Sequence, residues 1–202
     1  KWYIRNTDRK ILYIDKFTDI NKYEKTKKYI EPYKEILGKR RECERGVLPW
    51  YSLQWAREKA KLETIPKILI QRTRNPRLKT RIVATIDETG IYGMESIIFL
   101  VPRQKNNDIY FYLSVINSKL MNYLYSTKYL NVSIKGEYLK DTYIPNTSED
   151  IKKLLGEKCK IIIKETAEYY RTAEKFLDFI KGKFNPKEIS GKIEEFYLYD
   201  FS

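Results

Sequence analysis

The stretch from Asp108 to Tyr125, DIYFYLSVINSKLMNYLY, constrains this chain more than any other. Its apolar residues Ile109, Leu113, Ile116, Leu120 and Leu124 recur at steps of four, three, four and four, which places them on one face of an α-helix. Asn107 or Asp108 can serve as its N-cap. Tyr110, Tyr112, Tyr123 and Tyr125 widen the stripe until little of the helix is left to face water, so it reads as a mostly buried core helix. Asn117-Ser118-Lys119 forms a polar notch at its middle, and other elements must pack around it.

Those elements are legible on both sides. Before the helix, Ile68, Leu69 and Ile70 make a short buried strand. Residues 82–102 read as strand, turn, strand: Ile82 to Ile86, the turn Asp87-Glu88-Thr89-Gly90, then Ile97 to Val101 before Pro102. Nearer the start, Ile30, Tyr33, Ile36 and Leu37 suggest a short helix ending at Gly38. Residues 126–148 are irregular. Ser148 to Gly182 then forms the clearest helix, with Glu149 and Asp150 in its first turn. Cys159, Ile162, Thr166, Tyr169, Ala173, Phe176 and Ile180 give it a heptad seam. Its charge is nearly balanced, so it reads as a spacer or packing strut. The expected fold is α+β: a mixed β-sheet recognition domain around a buried helix over residues 1–147, a long helix over 148–182, and a C-terminal segment, 183–202. Lys1 rather than Met at the start suggests part of a larger protein.

Composition excludes several chemistries. The chain has no histidine, which removes Ser-His and Cys-His nucleophile pairs, His-ligated zinc and histidine acid-base work. Cys43 and Cys159 form neither a metal-spaced pair nor a disulfide framework, which fits a reducing, cytoplasmic setting. No apolar run approaches the roughly 18 residues of a membrane span. A G-x-x-x-x-G-K-[ST] loop is absent. Asp87 has no PD-(D/E)xK partners and reads as a turn-forming aspartate.

What remains is binding. Forty Lys and Arg against 27 Asp and Glu leave a formal charge of +13, which makes a polyanion a plausible partner. The bias is strongest in PKILIQRTRNPRLKTR, residues 66–81, where Lys67, Arg72, Arg74, Arg77, Lys79 and Arg81 meet no acidic side chain. Asn75-Pro76 marks a turn inside it. Guanidinium groups grip phosphates and reach guanine O6 and N7 in the major groove, so Arg72, Arg74, Asn75, Arg77, Lys79 and Arg81 are the leading DNA-contact candidates. Arg40 and Arg41 are either a solvated helix end or phosphate contacts. Trp50 and Tyr51, beside Arg57, are either a core corner or a stacking platform. Lys128 and Lys135 interleave charge with Tyr129 and Tyr138.

Several strings resemble one family in order. Asn117-Ser118-Lys119-Leu120, with Tyr112-Leu113 before and Asn122-Tyr123-Leu124-Tyr125 after, resembles the "LLALLNSKLxNFYL" helix of the TaqI-like C-terminal specificity domain, the target-recognition part of restriction and modification methyltransferases. The "WYxLxxxR" string at 50–57, followed by Pro66-Lys67-Ile68, and the "D-x-x-G-x-Y" pattern at Asp87, Gly90 and Tyr92 are similar to the same family. YLKDTYIP, residues 138–145, resembles its "YLKxLPIP" exit, with Thr142 and Tyr143 where Leu and Pro are expected. KIEEFYLYDF resembles the closing segment of the single-chain enzymes, and the long helix resembles the spacer helices of specificity subunits.

The resemblance implies a target-recognition domain that binds specific double-stranded DNA and does not itself catalyse. A methyltransferase domain earlier in the parent chain would carry S-adenosylmethionine and flip the target adenine; the Asn-Pro-Pro-Tyr motif for that step does not occur here. Two other classes stay open at this level. One is a general RNA- or single-strand-binding module, and the other a coiled-coil protein-interaction module.

Overall fold

The computed structural model describes residues 1–4, 9–78, 80–103, 108–186 and 193. Lys79, Asn107 and most of the closing segment lie outside the described residues. The chain divides into two compact units, Asn6–Thr64 with Gly90–Tyr92, and Lys1–Arg5 with Ile65–Thr89 and Gly93–Ser202.

The smaller unit is built from short helices: α1 (Glu24–Ile30), α2 (Lys34–Gly38), α3 (Arg41–Glu44) and α4 (Lys59–Glu63). As expected, α2 ends at Gly38. Ile14, Ile20 and Ile30 form a small core against which Trp50 and Tyr51 pack. The Leu53 amide donates to the Ile14 carbonyl at 2.7 Å and fastens the aromatic segment to that core.

The larger unit holds the sheet. Strands β1 (Lys67–Gln71), β2 (Ala84–Asp87) and β3 (Ile97–Leu100) pair antiparallel in the order β2-β1-β3. The sheet is thus antiparallel throughout rather than mixed. The two strands read as consecutive in the sequence flank β1 and do not pair with each other. Register places Ile68 opposite Ile86 and Leu100, and Ile70 opposite Ala84 and Ile98, so one face is aliphatic across all three strands. That face packs with Ile109, Leu113 and Ile116. Leu113 is fully buried, and burial of one such side chain contributes about 1.5–3 kcal/mol.

The central helix is two helices. α5 (Ile109–Asn117) and α6 (Lys119–Lys128) are separated by Ser118, whose extended backbone makes it the N-cap of α6, accepting from the Met121 amide. Asp108 caps α5 through the amides of Tyr110 and Phe111. The break shifts the buried face by one residue. Met121, Asn122 and Tyr125 are buried, whereas Leu120, Tyr123 and Leu124, expected in the core, are exposed. A single continuous stripe assumed an unbroken helical phase, and Ser118 resets it.

The polar notch closes the edge of the sheet. The Asn117 Oδ1 accepts from the Ala84 amide at 3.1 Å and its Nδ2 donates to the Ala84 carbonyl at 2.9 Å. Asn122 Oδ1 accepts from the Ile82 amide at 2.7 Å, and its Nδ2 donates to the Ser118 carbonyl. Together with the Trp2 amide, which also donates to the Ala84 carbonyl at 3.1 Å, two asparagine carboxamides supply the bonds that a neighbouring strand would supply along 82–84.

After a short helix α7 (Gly136–Lys140), the long helix α8 runs Glu149–Phe184 with Ser148 as its N-cap. It passes through Gly182 and ends two residues later, where Asn185 adopts a left-handed conformation and donates to the Lys181 carbonyl, with Pro186 unable to continue. Its packed side also differs from the expected seam. Cys159, Thr166 and Ala173 are covered as expected, but Ile163, Tyr170 and Leu177 turn inward in place of Ile162, Tyr169 and Phe176, which are 39–42% exposed. Apolar or aromatic residues stand in adjacent pairs at 162/163, 169/170 and 176/177, so sequence spacing fits either register. Packing on α5 and the stack of Tyr3 on Tyr170 at 4.7 Å accompany the observed one. Burial pushes the Cys159 thiol up to about 12.

Candidate nucleic-acid interface

Past Gln71, the chain leaves the sheet and pairs with a second segment. The Arg74 amide donates to the Val132 carbonyl at 3.1 Å, the Ile134 amide donates to the Arg72 carbonyl at 2.7 Å, and Thr73 bridges Ser133. Residues 72–74 and 132–134 form a short antiparallel ladder that sequence reasoning did not find. Its one trace is the apolar-polar-apolar alternation Val132-Ser133-Ile134, too short to stand out from an irregular region.

Arg81 fixes this junction from inside. It is fully buried, donating from Nη1 to the Arg74 carbonyl at 2.5 Å and from Nη2 to the carbonyls of Asn131 and Val132. Burial lowers its pKa, a shift opposed by Tyr125 and reinforced by Arg74. Expected among the DNA contacts, Arg81 instead holds the loop that displays the others, because a planar five-donor guanidinium matches converging carbonyls.

The other basic residues of the loop divide by exposure. Arg72 and Arg77 are exposed, and Arg74 is half-buried with Nε donating to the Thr80 carbonyl at 2.8 Å. Arg74 Nη1 also reaches Gln71 Oε1 at 3.3 Å. Asn75 makes the expected turn, its Oδ1 accepting from the Arg77 amide at 3.0 Å. Lys67 points elsewhere and pairs with Asp87 at 2.7 Å in the sheet, both side chains fully buried.

Beside the ladder stands an aromatic stack. Tyr129 and Tyr138 lie 4.2 Å apart at an interplanar angle of 8°. Lys128 sits 5.1 Å above Tyr129 and Lys135 5.2 Å above Tyr138. The neighbouring Tyr129 raises the Lys128 pKa, and Tyr138 raises that of Lys135. Both ammonium groups are exposed and stay charged. The structure thus brings Arg72, Arg74, Arg77, Lys128 and Lys135 onto two hydrogen-bonded segments of one unit.

The candidates in the smaller unit have structural duties there. Arg40 donates from Nε to the Leu37 carbonyl, from Nη1 to that of Ser52 and from Nη2 to that of Trp50. Trp50 and Tyr51 form an edge-to-face pair at 5.7 Å within the core. Arg57 is half-buried, its carbonyl accepting from the Tyr13 hydroxyl, and Arg41 is exposed. Among the described residues no three His, Cys, Asp or Glu side chains are grouped to hold a metal, and no helix is long and apolar enough to cross a membrane.

The family model for the TaqI-like C-terminal specificity domain matches residues 16–145, more than half of the chain. The chain belongs to that family. A search of curated proteins finds no match. The span that makes this a TaqI-like specificity domain includes the sheet, α5, α6, the ladder and every candidate contact residue, and stops before α8. Membership carries a DNA-recognition role in restriction-modification systems.

Proposed function

We propose that this chain reads sequence in double-stranded DNA as the target-recognition domain of an adenine-specific restriction-modification methyltransferase. The observation that carries the reading is the ladder between residues 72–74 and 132–134, which presents exposed Arg72 and Arg77 with Lys128 and Lys135 from a fixed backbone. Phosphate contacts set register and affinity, and arginine forks read base edges. Arg72, Arg74 and Arg77 are assigned to the duplex, with Lys128 and Lys135 on phosphates; Arg41 of the smaller unit is a further phosphate candidate. S-adenosylmethionine and adenine flipping belong to the methyltransferase domain of the parent chain.

Single substitutions test this reading. Lys128→Ala or Lys135→Ala should weaken binding to all duplexes alike and flatten the dependence of affinity on salt. Arg72→Ala or Arg77→Ala at a base-reading position should cost about 1–3 kcal/mol and relax preference at one base pair. Unchanged affinity across the whole set would contradict the reading.

A further inference from the structure

The segment that closes the ladder carries two aliphatic side chains that the core does not cover. Leu130 is 77% exposed and Val132 is 54% exposed, and in the chain both fall between Lys128 and Lys135. The Val132 carbonyl accepts from the Arg74 amide at 3.1 Å and from Arg81 Nη2 at 3.0 Å, so its side chain projects from a fixed backbone. The bridge between Thr73 and Ser133 sets Val132 opposite Arg74. Residues directly opposite in an antiparallel pair share a face of the ladder, with Cβ atoms about 5 Å apart. Leu130 lies two residues earlier, just past the Tyr129 cap of α6.

Single exposed aliphatic residues are ordinary on a protein surface. These two stand on a rigid segment joined to Arg72 and Arg74 and flanked by Lys128 and Lys135, so whatever those cations select must also meet apolar atoms. Two side chains fall far short of the roughly 800 Å² a side of a stable protein interface. In duplex DNA the major-groove edge offers one apolar group, the C5-methyl of thymine, and the minor-groove edge offers only acceptors and the guanine amino group. Insertion between stacked bases suits a long side chain that can advance past the base edge. Val132 is β-branched, short and tied through its own carbonyl, which suits contact at the edge instead.

We propose that Leu130 and Val132 form an apolar contact with the C5-methyl group of one thymine in the recognised duplex, an inference that rests on the DNA-recognition reading above. The test replaces thymine by uracil, one position at a time, in a duplex that the chain binds. The exchange removes the methyl group and keeps the base pair and its hydrogen bonds. At one position uracil should weaken binding about fourfold, the equivalent of about 0.8 kcal/mol for one buried methyl group. The doubly substituted chain, Leu130→Ala with Val132→Ala, should bind the thymine and uracil duplexes equally. Both positions are exposed, and a merely structural effect would weaken the two duplexes alike and leave their ratio intact. A bound site without thymine, uracil tolerated at every position, or a ratio that persists in the doubly substituted chain overturns the methyl contact and leaves DNA recognition standing. Absence of any duplex binding overturns both.

Discussion

Arg81 Nη2 donates to the Val132 carbonyl at 3.0 Å, joining two stretches that are 51 positions apart in the chain. The same guanidinium holds the carbonyls of Arg74 and Asn131, so one buried side chain sets the spacing between the arginine loop and the lysine-tyrosine segment. Arg81→Met should destabilise the chain by about 1–3 kcal/mol for each carbonyl left without a donor, as read by urea denaturation. Arg81→Lys keeps the charge but not the fork, and should lose most of the same stability. Both should weaken DNA binding without changing which base pairs are preferred.

The asparagines of the polar notch give a second expectation. Asn117→Leu removes both bonds to Ala84 and leaves the Ala84 amide without a partner, while the Ala84 carbonyl keeps the bond from the Trp2 amide at 3.1 Å. The cost should be about 1–3 kcal/mol in thermal or chemical unfolding. Asn122→Leu strips the Ile82 amide and should cost a similar amount.

Gly156 of α8 lies against the start of α5, where a Cβ would stand 2.5 Å from Asp108 Oδ2. Gly156→Ala should therefore push Asp108 off the Tyr110 and Phe111 amides, at about 0.5–2 kcal/mol for the lost cap. In a double-mutant cycle, Asp108→Ala should remove much of the penalty of Gly156→Ala, because the clash and the cap share one carboxylate. Simple additivity of the two would contradict this contact.

Acid dependence follows from Asp87. Burial alone would raise its pKa, but hydrogen bonds from Lys67 and from the Thr89 amide and hydroxyl, with the Lys67 charge, lower it below the usual carboxylate value. The pair then contributes stability above the unfolded-state pKa, and that contribution is lost as pH falls through the lower folded-state value. Asp87→Asn should cost about 3–5 kcal/mol at neutral pH by leaving Lys67 buried without its counter-charge. The gap between wild type and variant should narrow as the solution is acidified below the ordinary carboxylate range, measured by denaturant unfolding at each pH.

Much of this architecture is legible in the sequence, and the misses have physical causes. The aliphatic run at 68–70, the Asp87 turn and the Ser148 cap are local signals, and local signals survive into the fold. Strand order does not, because nothing within residues 82–102 shows that both strands pair with β1. The central helix looked continuous because Ser118 is compatible with a helix interior; only its extended backbone, bonded to the Met121 amide, reveals the break. Arginine type and spacing likewise hide burial. Arg72, Arg77 and Arg81 look alike in a basic loop, yet two are exposed and the third is enclosed by carbonyls from distant residues.

The central claim is sequence-specific reading of duplex DNA, and selection from a pool of random duplexes across a salt series tests it most directly. Enrichment of one short motif that persists as salt rises, and that relaxes at a single base pair in Arg72→Ala or Arg77→Ala, is the predicted result. Binding that fades with salt and enriches no motif would contradict it, and would leave the loop a basic surface without readout.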